Sequence, residues 1–337
     1  MELKDVYAFV KETKRDKYWK TQENELAQLI DPKTGLIAER YTHPVRCVVC
    51  DSDRHNVSFL KDGFRFVKCC ACGLLFVNPQ LSQEHVLEDY KGKESLNQWV
   101  DVLLSPKQVA YDREKKYRPA LRHLDGIYPK KGKILDVGCS TGLFLNTARE
   151  YGWEPFGLEI NRKSLQYARE NYGLTVHDKL LHETPFTEGS FQIVSLWGVL
   201  EHLSSPREVL GHCRRLMAEG GTLLIFVPNG HSLATRVMHA KSPTFGGRNH
   251  LWYFTPQTLG RLLDSEGFEP RHHYTQLPQI EELLHYLRYN DPYLPGLPVQ
   301  AEEFQIPMDL LEKLQDYILK NHLGYKLVMF ARKKAKR

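Results

Sequence analysis

The chain has 337 residues, 42% of them hydrophobic, so it is long and apolar enough to bury a core of ordinary size. Its net charge of +5 is only mildly basic, and part of the excess lies in the C-terminal run 332–337, typical of a solvated end. No apolar stretch is long enough to cross a bilayer and the N-terminus lacks a signal-peptide core, which predicts a cytoplasmic protein. In that reducing compartment, seven cysteines indicate metal ligands or incidental thiols and not disulfides.

The N-terminal part predicts two units. Residues 1–43 indicate a polar, partly helical lead-in without chemistry, and residues 44–80 carry two Cys-x-x-Cys pairs. Each pair places two thiolates on one tight turn, and two such turns face to face form a tetrahedral zinc site. We therefore predict a zinc ribbon at 44–80, with Cys70 as a non-ligand; buried or redox-active thiols are the alternative. The predicted ligands of this structural zinc are Cys47, Cys50, Cys69 and Cys72.

The rest of the chain predicts a helical connector at 81–128 and an α/β domain at 129–337. Short apolar strands alternate with helices of ordinary length, a pattern typical of parallel pairing with right-handed crossovers. The prediction is a doubly wound, mostly parallel seven-stranded sheet, interrupted by a helical insertion at about 278–322. The predicted strands are 133–138, 154–160, 174–178, 191–197, 222–228, 271–277 and 324–333. The predicted helices are 143–151, a helix capped by Asn161 that ends at 172, 206–218, and a helix from Thr255-Pro256 to Gly267.

A loop of small residues, DVGCSTG at 136–142, follows the first of these strands. Such a loop lets the backbone approach a ligand at the carboxyl edge of a parallel sheet. Glu159 ends the next strand, where a carboxylate can accept hydrogen bonds from ribose hydroxyls. A dinucleotide site would direct amides at a pyrophosphate, whereas an acid beside this loop repels phosphates and suits an ammonium and a sulfonium. The charge pattern therefore favours S-adenosylmethionine.

The chain resembles the class I S-adenosylmethionine-dependent methyltransferases, in particular the group with an LEH segment after the fourth strand. The resemblance covers about 130–270 and resumes at the final strand. It is carried by LDVGCSTG (135–142), GLEIN (157–161), SLWGVLEHLSSPREVL (195–210), RRLMAEGGTLLIFVPN (214–229) and NHLWYFTPQTLGRLLDSEGF (249–268).

The resemblance implies a class I methyltransferase fold and a set of cofactor-site residues. Asp178 is implied to reach the adenine, the alternative being a solvent-facing turn. Ser140 stands where the family has a middle glycine, a change that a small side chain should tolerate. The segment around 72–90 is similar to the ribbon at the front of many bacterial methyltransferases, where it is structural or substrate-positioning. The implied cofactor-site residues are Asp136, Gly138, Ser140, Gly142, Glu159 and Asp178.

Trp197 is predicted as a further cofactor-site residue, at the place where this fold meets cofactor and acceptor; its ring faces the sulfonium, with plain packing as the alternative. Glu201 and His202 follow, and His250 lies in a segment that resembles the loop closing over the acceptor. Relatives with an E-x-x-E-H segment hold a divalent metal here, but Gly198 replaces the first glutamate. We therefore favour His202 or His250 as a general base, with Glu201 beside it. A catalytic divalent metal and a purely structural role are the alternatives.

Together these features predict an O-methyltransferase acting on a small-molecule or glycan-type acceptor. Nucleic acid is less favoured: base-amine methyltransferases carry (Asp/Asn)-Pro-Pro-Tyr after strand four, unlike SLWG, and ribose methylation requires a broader basic field. A sugar C-methyltransferase is expected to carry a large additional C-terminal domain. A non-catalytic cofactor-binding protein is disfavoured by the intact glycine loop and Glu159.

Overall fold

The computed structural model describes residues 15–82, 85, 93–280, 283, 284, 286 and 307–335. Its strands are β1 (Thr42–His43), β2 (His55–Lys61), β3 (Phe64–Cys69), β4 (Leu75–Val77), β5 (Gln80–Leu81), β6 (Lys133–Val137), β7 (Glu154–Leu158), β8 (Thr175–His177), β9 (Phe191–Trp197), β10 (Met217–Pro228), β11 (Trp252–Tyr253), β12 (Phe268–Gln276) and β13 (Lys326–Lys333). Its α-helices are α1 (Arg15–Ala27), α2 (Glu94–Leu103), α3 (Pro106–Tyr111), α4 (Arg118–Ile127), α5 (Leu143–Glu150), α6 (Arg162–Tyr172), α7 (Pro206–Leu216), α8 (Leu233–Met238), α9 (Pro256–Ser265) and α10 (Met308–Lys320).

A seven-stranded sheet forms the larger part of the fold. Its strand order is β12–β13–β10–β9–β6–β7–β8, in which β13 alone runs antiparallel to its neighbours. The predicted doubly wound, mostly parallel sheet is therefore confirmed. Because β13 is antiparallel, its first residue lies at the edge where β6, β7, β9 and β10 end. This edge is the position at which α/β sheets bind ligands.

The element boundaries follow local sequence signals closely. Strand β9 matches the predicted 191–197, and Asn161 caps α6 by accepting a hydrogen bond from the Ser164 amide at 3.0 Å. Strand β10 differs, because it begins at Met217 and not at 222. The glycines at 220 and 221 are typical of a turn, whereas the chain continues as a strand with an irregular register between Met217 and Thr222.

Helices cover both faces of this sheet. On one face, Ile193 and Phe330 pack against helices α4 and α5 through Leu124 and Phe144. On the other, residues such as Leu223 pack against α7 and α9. Successive strand residues alternate between the two cores because side chains point to opposite faces. None of the helices in the described part of the chain is long and apolar enough to span a membrane.

The N-terminal cysteine module is tied to the rest of the molecule by strand pairing. Strands β2, β3 and β4 form an antiparallel sheet, and β11, from a distant part of the chain, pairs with β4 as the fourth strand. The predicted boundaries of the lead-in and of the 278–322 insertion stay predictions. Residues 1–14 of the lead-in and most of the insertion lie outside the described residues; α10 belongs to the insertion's described end.

Candidate active site and cysteine cluster

The glycine loop after β6 adopts left-handed backbone conformations at alternate positions. Gly138, Ser140 and Gly142 have φ values of 71°, 50° and 78°. A Cβ at Gly142 would lie 2.6 Å from Leu174 Cδ1 and 3.0 Å from Ala168 Cβ, so a side chain there would collide with α6 and the segment that follows it. Ser140 occupies a region that favours glycine, at a cost on the order of 1 kcal/mol. The predicted tolerance of a small side chain thus carries a backbone strain that sequence reasoning missed.

The Glu159 carboxylate holds the glycine loop in place. Its Oε2 accepts a hydrogen bond from the Ser140 amide at 2.8 Å, and its Oε1 accepts one from the Asn161 amide at 2.7 Å. Burial raises the pKa of Glu159, while these backbone donors lower it. Since an ionised carboxylate has about four acceptor sites, two are open to further donors such as ribose hydroxyls.

Two further acids predicted for the cofactor site lie in different surroundings. Asp136 is fully buried and its Oδ1 accepts a hydrogen bond from Ser195 Oγ at 2.7 Å. Burial raises the pKa of Asp136 to about 8, while the Ser195 hydrogen bond and the Lys116 ammonium oppose the shift. Asp178 is exposed just after β8, and its charge contributes to the raised pKa of Glu159. Asp136 therefore links β6 to β9 beneath the loop, whereas Asp178 is accessible to solvent at the end of β8.

Trp197 lies within an aromatic cluster. Its ring centroid is 4.9 Å from those of Tyr117 and Phe144, and 5.3 Å from that of Phe226. Its indole Nε1 is buried and has no hydrogen-bond partner among the described residues. Tyr117 comes from the π-helix at 112–117, a segment that sequence reasoning left without chemistry. Extensive ring packing of Trp197 is thus observed at the carboxyl end of β9.

Two lysines flank Phe226 beside this cluster. The ring centroid lies 4.6 Å from Lys116 Nζ and 5.3 Å from Lys326 Nζ. Among the described residues neither lysine forms an ion pair within 4.0 Å, although Lys116 Nζ donates to Tyr117 Oη at 3.3 Å. Burial lowers the pKa of Lys116; Asp112 opposes this and the Lys326 charge adds to it. The sequence offered no signal for this pair, because only the fold brings residues 116 and 326 together.

Glu201, His202 and His250 form a compact group at the same edge of the sheet. Glu201 Oε1 lies 3.8 Å from His202 Nε2, and the two imidazole centroids are 4.9 Å apart. His250 Nδ1 lies 3.2 Å from the Thr244 carbonyl oxygen, to which it donates as the N–H tautomer, leaving Nε2 as the acceptor. The predicted acceptor-side residues are therefore neighbours, although 48 positions separate the two histidines.

Burial controls the protonation of this group. It raises the pKa of Glu201 to about 7, against the opposing charges of Lys326 and Lys116. It lowers the pKa of His202 to about 3, with Lys326 adding to the shift, and lowers that of His250 well below its usual range. Both imidazoles are accordingly neutral at physiological pH. Both oxygens of Glu201 lack a hydrogen-bond partner within the described chain.

The same group offers the donors that a divalent cation takes. The ligand atoms of Glu201, His202 and His250 lie within 4.8 Å of one another. One carboxylate and two imidazoles form a suitable three-ligand set, while Gly198 supplies no fourth side chain. The base that the sequence favours and the cation that it leaves as an alternative both stay predictions for this group.

The four predicted zinc ligands cluster as two facing pairs. Cys47 Sγ lies 3.4 Å from Cys72 Sγ, and Cys50 Sγ lies 3.5 Å from Cys69 Sγ. Tetrahedral zinc with bonds of about 2.3 Å requires sulfurs about 3.8 Å apart, which these distances approach. Burial would raise the pKa of Cys69, yet amide and neighbouring thiol hydrogen bonds lower it to about 7. The donors fit zinc, and Cys70 is exposed and outside the group.

Comparison with known proteins finds similarity to methyltransferases. A family model described as "Methyltransferase domain" matches residues 109–273. The ubiquinone biosynthesis O-methyltransferase of Thiobacillus denitrificans is 28% identical over 162 residues, which cover 44% of this chain and 70% of the relative. The protein of the same name from Vibrio parahaemolyticus is 24% identical over 225 residues, covering 63% of this chain and 91% of the relative.

A solved structure shares the fold. The magnesium protoporphyrin IX methyltransferase of Synechocystis, determined with bound SAH, has a TM-score of 0.51 and 13% identity. The alignment covers 75% of this chain and 100% of that chain. At this identity the likeness speaks for the fold alone.

Proposed function

Because the chain carries a class I S-adenosylmethionine-dependent methyltransferase domain, we propose that it methylates a hydroxyl oxygen of a small-molecule or glycan-type acceptor. One observation carries this proposal. Glu201, His202 and His250 lie together at the carboxyl edge of the sheet, and the charges of Lys326 and Lys116 act on Glu201. The O-methyltransferase relatives support the same reaction type.

The cofactor side of the proposal rests on the glycine loop. When bound, S-adenosylmethionine supplies the methyl group as a sulfonium. Glu159 is proposed to accept the ribose hydroxyls, the left-handed turns at Gly138 and Gly142 to let the backbone approach, and Asp178 to reach the adenine. Asp136 supports the loop from below, and Trp197 borders the sulfonium position.

The acceptor side supplies the base. The new O–CH₃ bond would form as the sulfonium S–CH₃ bond breaks and leaves S-adenosylhomocysteine. The hydroxyl O–H bond would break in the same step, and its proton would pass to a neutral imidazole nitrogen, of His250 or His202. Glu201, with a pKa of about 7, is matched to take up that proton near neutral pH. Removing water and fixing the hydroxyl in line contribute more than the base, which adds roughly 10²–10⁴-fold.

The positive charge at the site indicates which class of acceptor should bind best. Lys116 and Lys326 place two ammonium groups near the ring of Phe226, and neither has an ion-paired carboxylate among the described residues. An acceptor that carries a carboxylate or phosphate is therefore expected to bind better than its neutral analogue. Nucleic acid stays the less favoured class.

The cysteine cluster is proposed to hold one structural zinc through Cys47, Cys50, Cys69 and Cys72. The four sulfurs already face each other at close to the required spacing. The metal would fix the two turns of the ribbon and does not take part in methyl transfer.

The test is formation of S-adenosylhomocysteine with pairs of acceptors that differ only in a carboxylate, such as 3,4-dihydroxybenzoate and catechol, alongside sugars and sugar acids. His202→Ala and His250→Ala should lower turnover roughly 10²-fold or more and leave cofactor affinity unchanged. Exposed His182→Ala is the matched control. Turnover unchanged in both site variants would exclude histidine bases, and activity abolished by chelators at intact zinc content would favour the divalent-cation alternative.

A further inference from the structure

The cysteine module and the loop that carries His250 share one sheet. Trp252 and Tyr253 pair antiparallel with Phe76 and Leu75 of β4, three residues beyond the last zinc-ligand candidate. The Trp252 indole stacks on Phe76 at 5.5 Å and its Nε1 donates to the Leu203 carbonyl at 2.8 Å. Strand β11 is therefore held by the ribbon on one side and by the segment after Glu201 and His202 on the other.

A backbone chain of hydrogen bonds joins the ribbon to the acceptor group. The Val77 amide donates to the Leu251 carbonyl at 2.9 Å, and the Leu251 amide donates to the Glu201 carbonyl at 2.8 Å. Leu251 directly follows His250, so this one residue connects β4, the imidazole and Glu201. A shift of β4 would be transmitted to both catalytic candidates.

Arg207 forms hydrogen bonds to the ribbon at the turn that carries Cys47 and Cys50. Its Nε donates to the Val48 carbonyl at 2.8 Å and its Nη2 to the Val49 carbonyl at 2.9 Å. These carbonyls belong to the turn between Cys47 and Cys50. Arg207 lies in the first turn of α7, which begins just after the LEH segment, and its Nη1 also pairs with Glu266. A planar guanidinium suits this double contact, which a lysine could not reproduce.

We propose that the zinc ribbon is a positioning element of the acceptor site. The metal would fix the Cys47–Cys50 turn, whose carbonyls accept hydrogen bonds from Arg207, and the turn between β3 and β4, the strand with which β11 pairs. Through Leu251 this would set the position of His250 relative to His202 and Glu201. Arg207 is a positioning residue in this scheme. Among the described residues no strand pairing or backbone hydrogen bond joins the glycine loop to the ribbon, so zinc loss should affect acceptor geometry and leave cofactor binding intact. The inference rests on the zinc and base assignments of the proposed function.

The first experiment follows hydrogen exchange in the full-length protein after zinc is removed with a chelator. The amides of residues 251–253 should exchange about tenfold faster or more, because they lie in or next to β11, whose pairing with β4 should loosen when the metal is removed. Those of the cofactor loop at 138–142 should change less than about twofold. Affinity for S-adenosylhomocysteine, measured by calorimetry, should stay within about twofold. These readouts need no acceptor, so they are independent of whether O-methylation is the right reaction.

The second experiment retains the metal and removes the hydrogen bonds that Arg207 donates to the Cys47–Cys50 turn. Arg207→Met should retain zinc by metal analysis, yet raise exchange at 251–253 and lower kcat with little change in cofactor affinity. Arg207→Lys, which keeps the charge and one donor, should recover only part of the loss. Arg215→Met is the control, because Arg215 is on the same helix, half exposed, and pairs only with surface groups.

Three results would overturn the proposal. The first is unchanged exchange at 251–253 in the zinc-free protein. The second is equal acceleration in the cofactor loop, which would indicate global destabilisation. The third is an Arg207→Met variant with normal exchange and kcat. Loss of zinc with normal exchange would leave the methyltransferase assignment intact and remove only the positioning role.

Discussion

The proposed cofactor side and the proposed acceptor side of this methyltransferase are assembled in opposite ways. The glycine loop, Glu159 and Asn161 come from one continuous stretch, 136–161, and contact each other through backbone amides. The acceptor side brings together Lys116, the LEH segment, His250 and Lys326 from four separate parts of the chain. Local construction makes the first site robust to distant change, whereas the second depends on every element that carries one of its groups.

The largest expected effect concerns the cysteine cluster, whose four thiols come from two separate turns. Cys69→Ser removes one of four thiolates and should abolish zinc binding, which contributes roughly 10 kcal/mol or more to folding in small zinc modules. We expect the melting temperature to fall by more than about 10 °C. Exposed Cys70→Ser should retain one zinc per chain. Metal analysis of both variants checks this, and zinc lost only from Cys70→Ser would overturn the ligand assignment.

The next largest effect concerns the proposed cofactor side, which comes from one continuous stretch of the chain. Glu159→Ala removes the acceptor for two backbone amides and for the ribose, and should weaken S-adenosylmethionine binding about 100-fold, equivalent to one or two charged hydrogen bonds. Zinc content should not change. Glu154→Ala, exposed at the start of the same strand, is the matched control. Calorimetry on the three proteins measures the affinities, and equal affinity of wild type and Glu159→Ala would remove Glu159 from the site.

A smaller effect concerns the buried charge of the acceptor side. The pKa of Glu201 is about 7 in the folded protein, above its usual range, so the folded state binds the extra proton between about pH 4.5 and 7. Wild type therefore loses stability as pH rises through that window. Glu201→Gln does not titrate, and should gain about 1–3 kcal/mol relative to wild type at pH 8 but little at pH 5.

Thermal unfolding at both pH values checks this expectation. Exposed Glu170→Gln should behave like wild type at both. An equal shift of Glu201→Gln at pH 5 and pH 8 would contradict the raised pKa.

The smallest effect returns to the glycine loop. Ser140 holds φ at 50°, so Ser140→Gly should relieve strain while adding chain entropy to the unfolded state, for a net change within about 1 kcal/mol. Cofactor affinity should stay within about threefold. A large loss of affinity would show that the hydroxyl itself contacts the ligand.

The same contrast explains what the sequence predicted. The mostly parallel sheet and the cap at Asn161 follow from periodicity and short-range signals, and the proposed cofactor loop is readable because its parts are adjacent in sequence. Cys-x-x-Cys spacing likewise reports a local turn. By contrast, Lys116 and Lys326 are ordinary surface lysines by sequence, and their contacts appear only after the π-helix and the antiparallel β13 bring them to one edge.

The contacts of Arg207 are a second feature that the sequence did not predict. Arg207 begins α7 in a position typical of any exposed helix start, and only the folded chain shows that it grips the cysteine turn. The pairing of β11 with β4 was equally hidden, because a strand of two residues has no periodicity to read. Contacts between distant segments are set by packing, which local patterns do not encode.

The β4–β11 pairing has a consequence for how the protein is made. Strand β4 leaves the ribosome roughly 175 residues before β11, a delay of roughly 10–35 s at ordinary synthesis rates. During this interval the ribbon exposes an unpaired sheet edge, the kind of surface that recruits other chains. The cofactor loop, by contrast, has its partners on β6, β7 and α6 as soon as they emerge. Fragments ending before residue 252 should therefore aggregate through the ribbon even when their cofactor loop is formed.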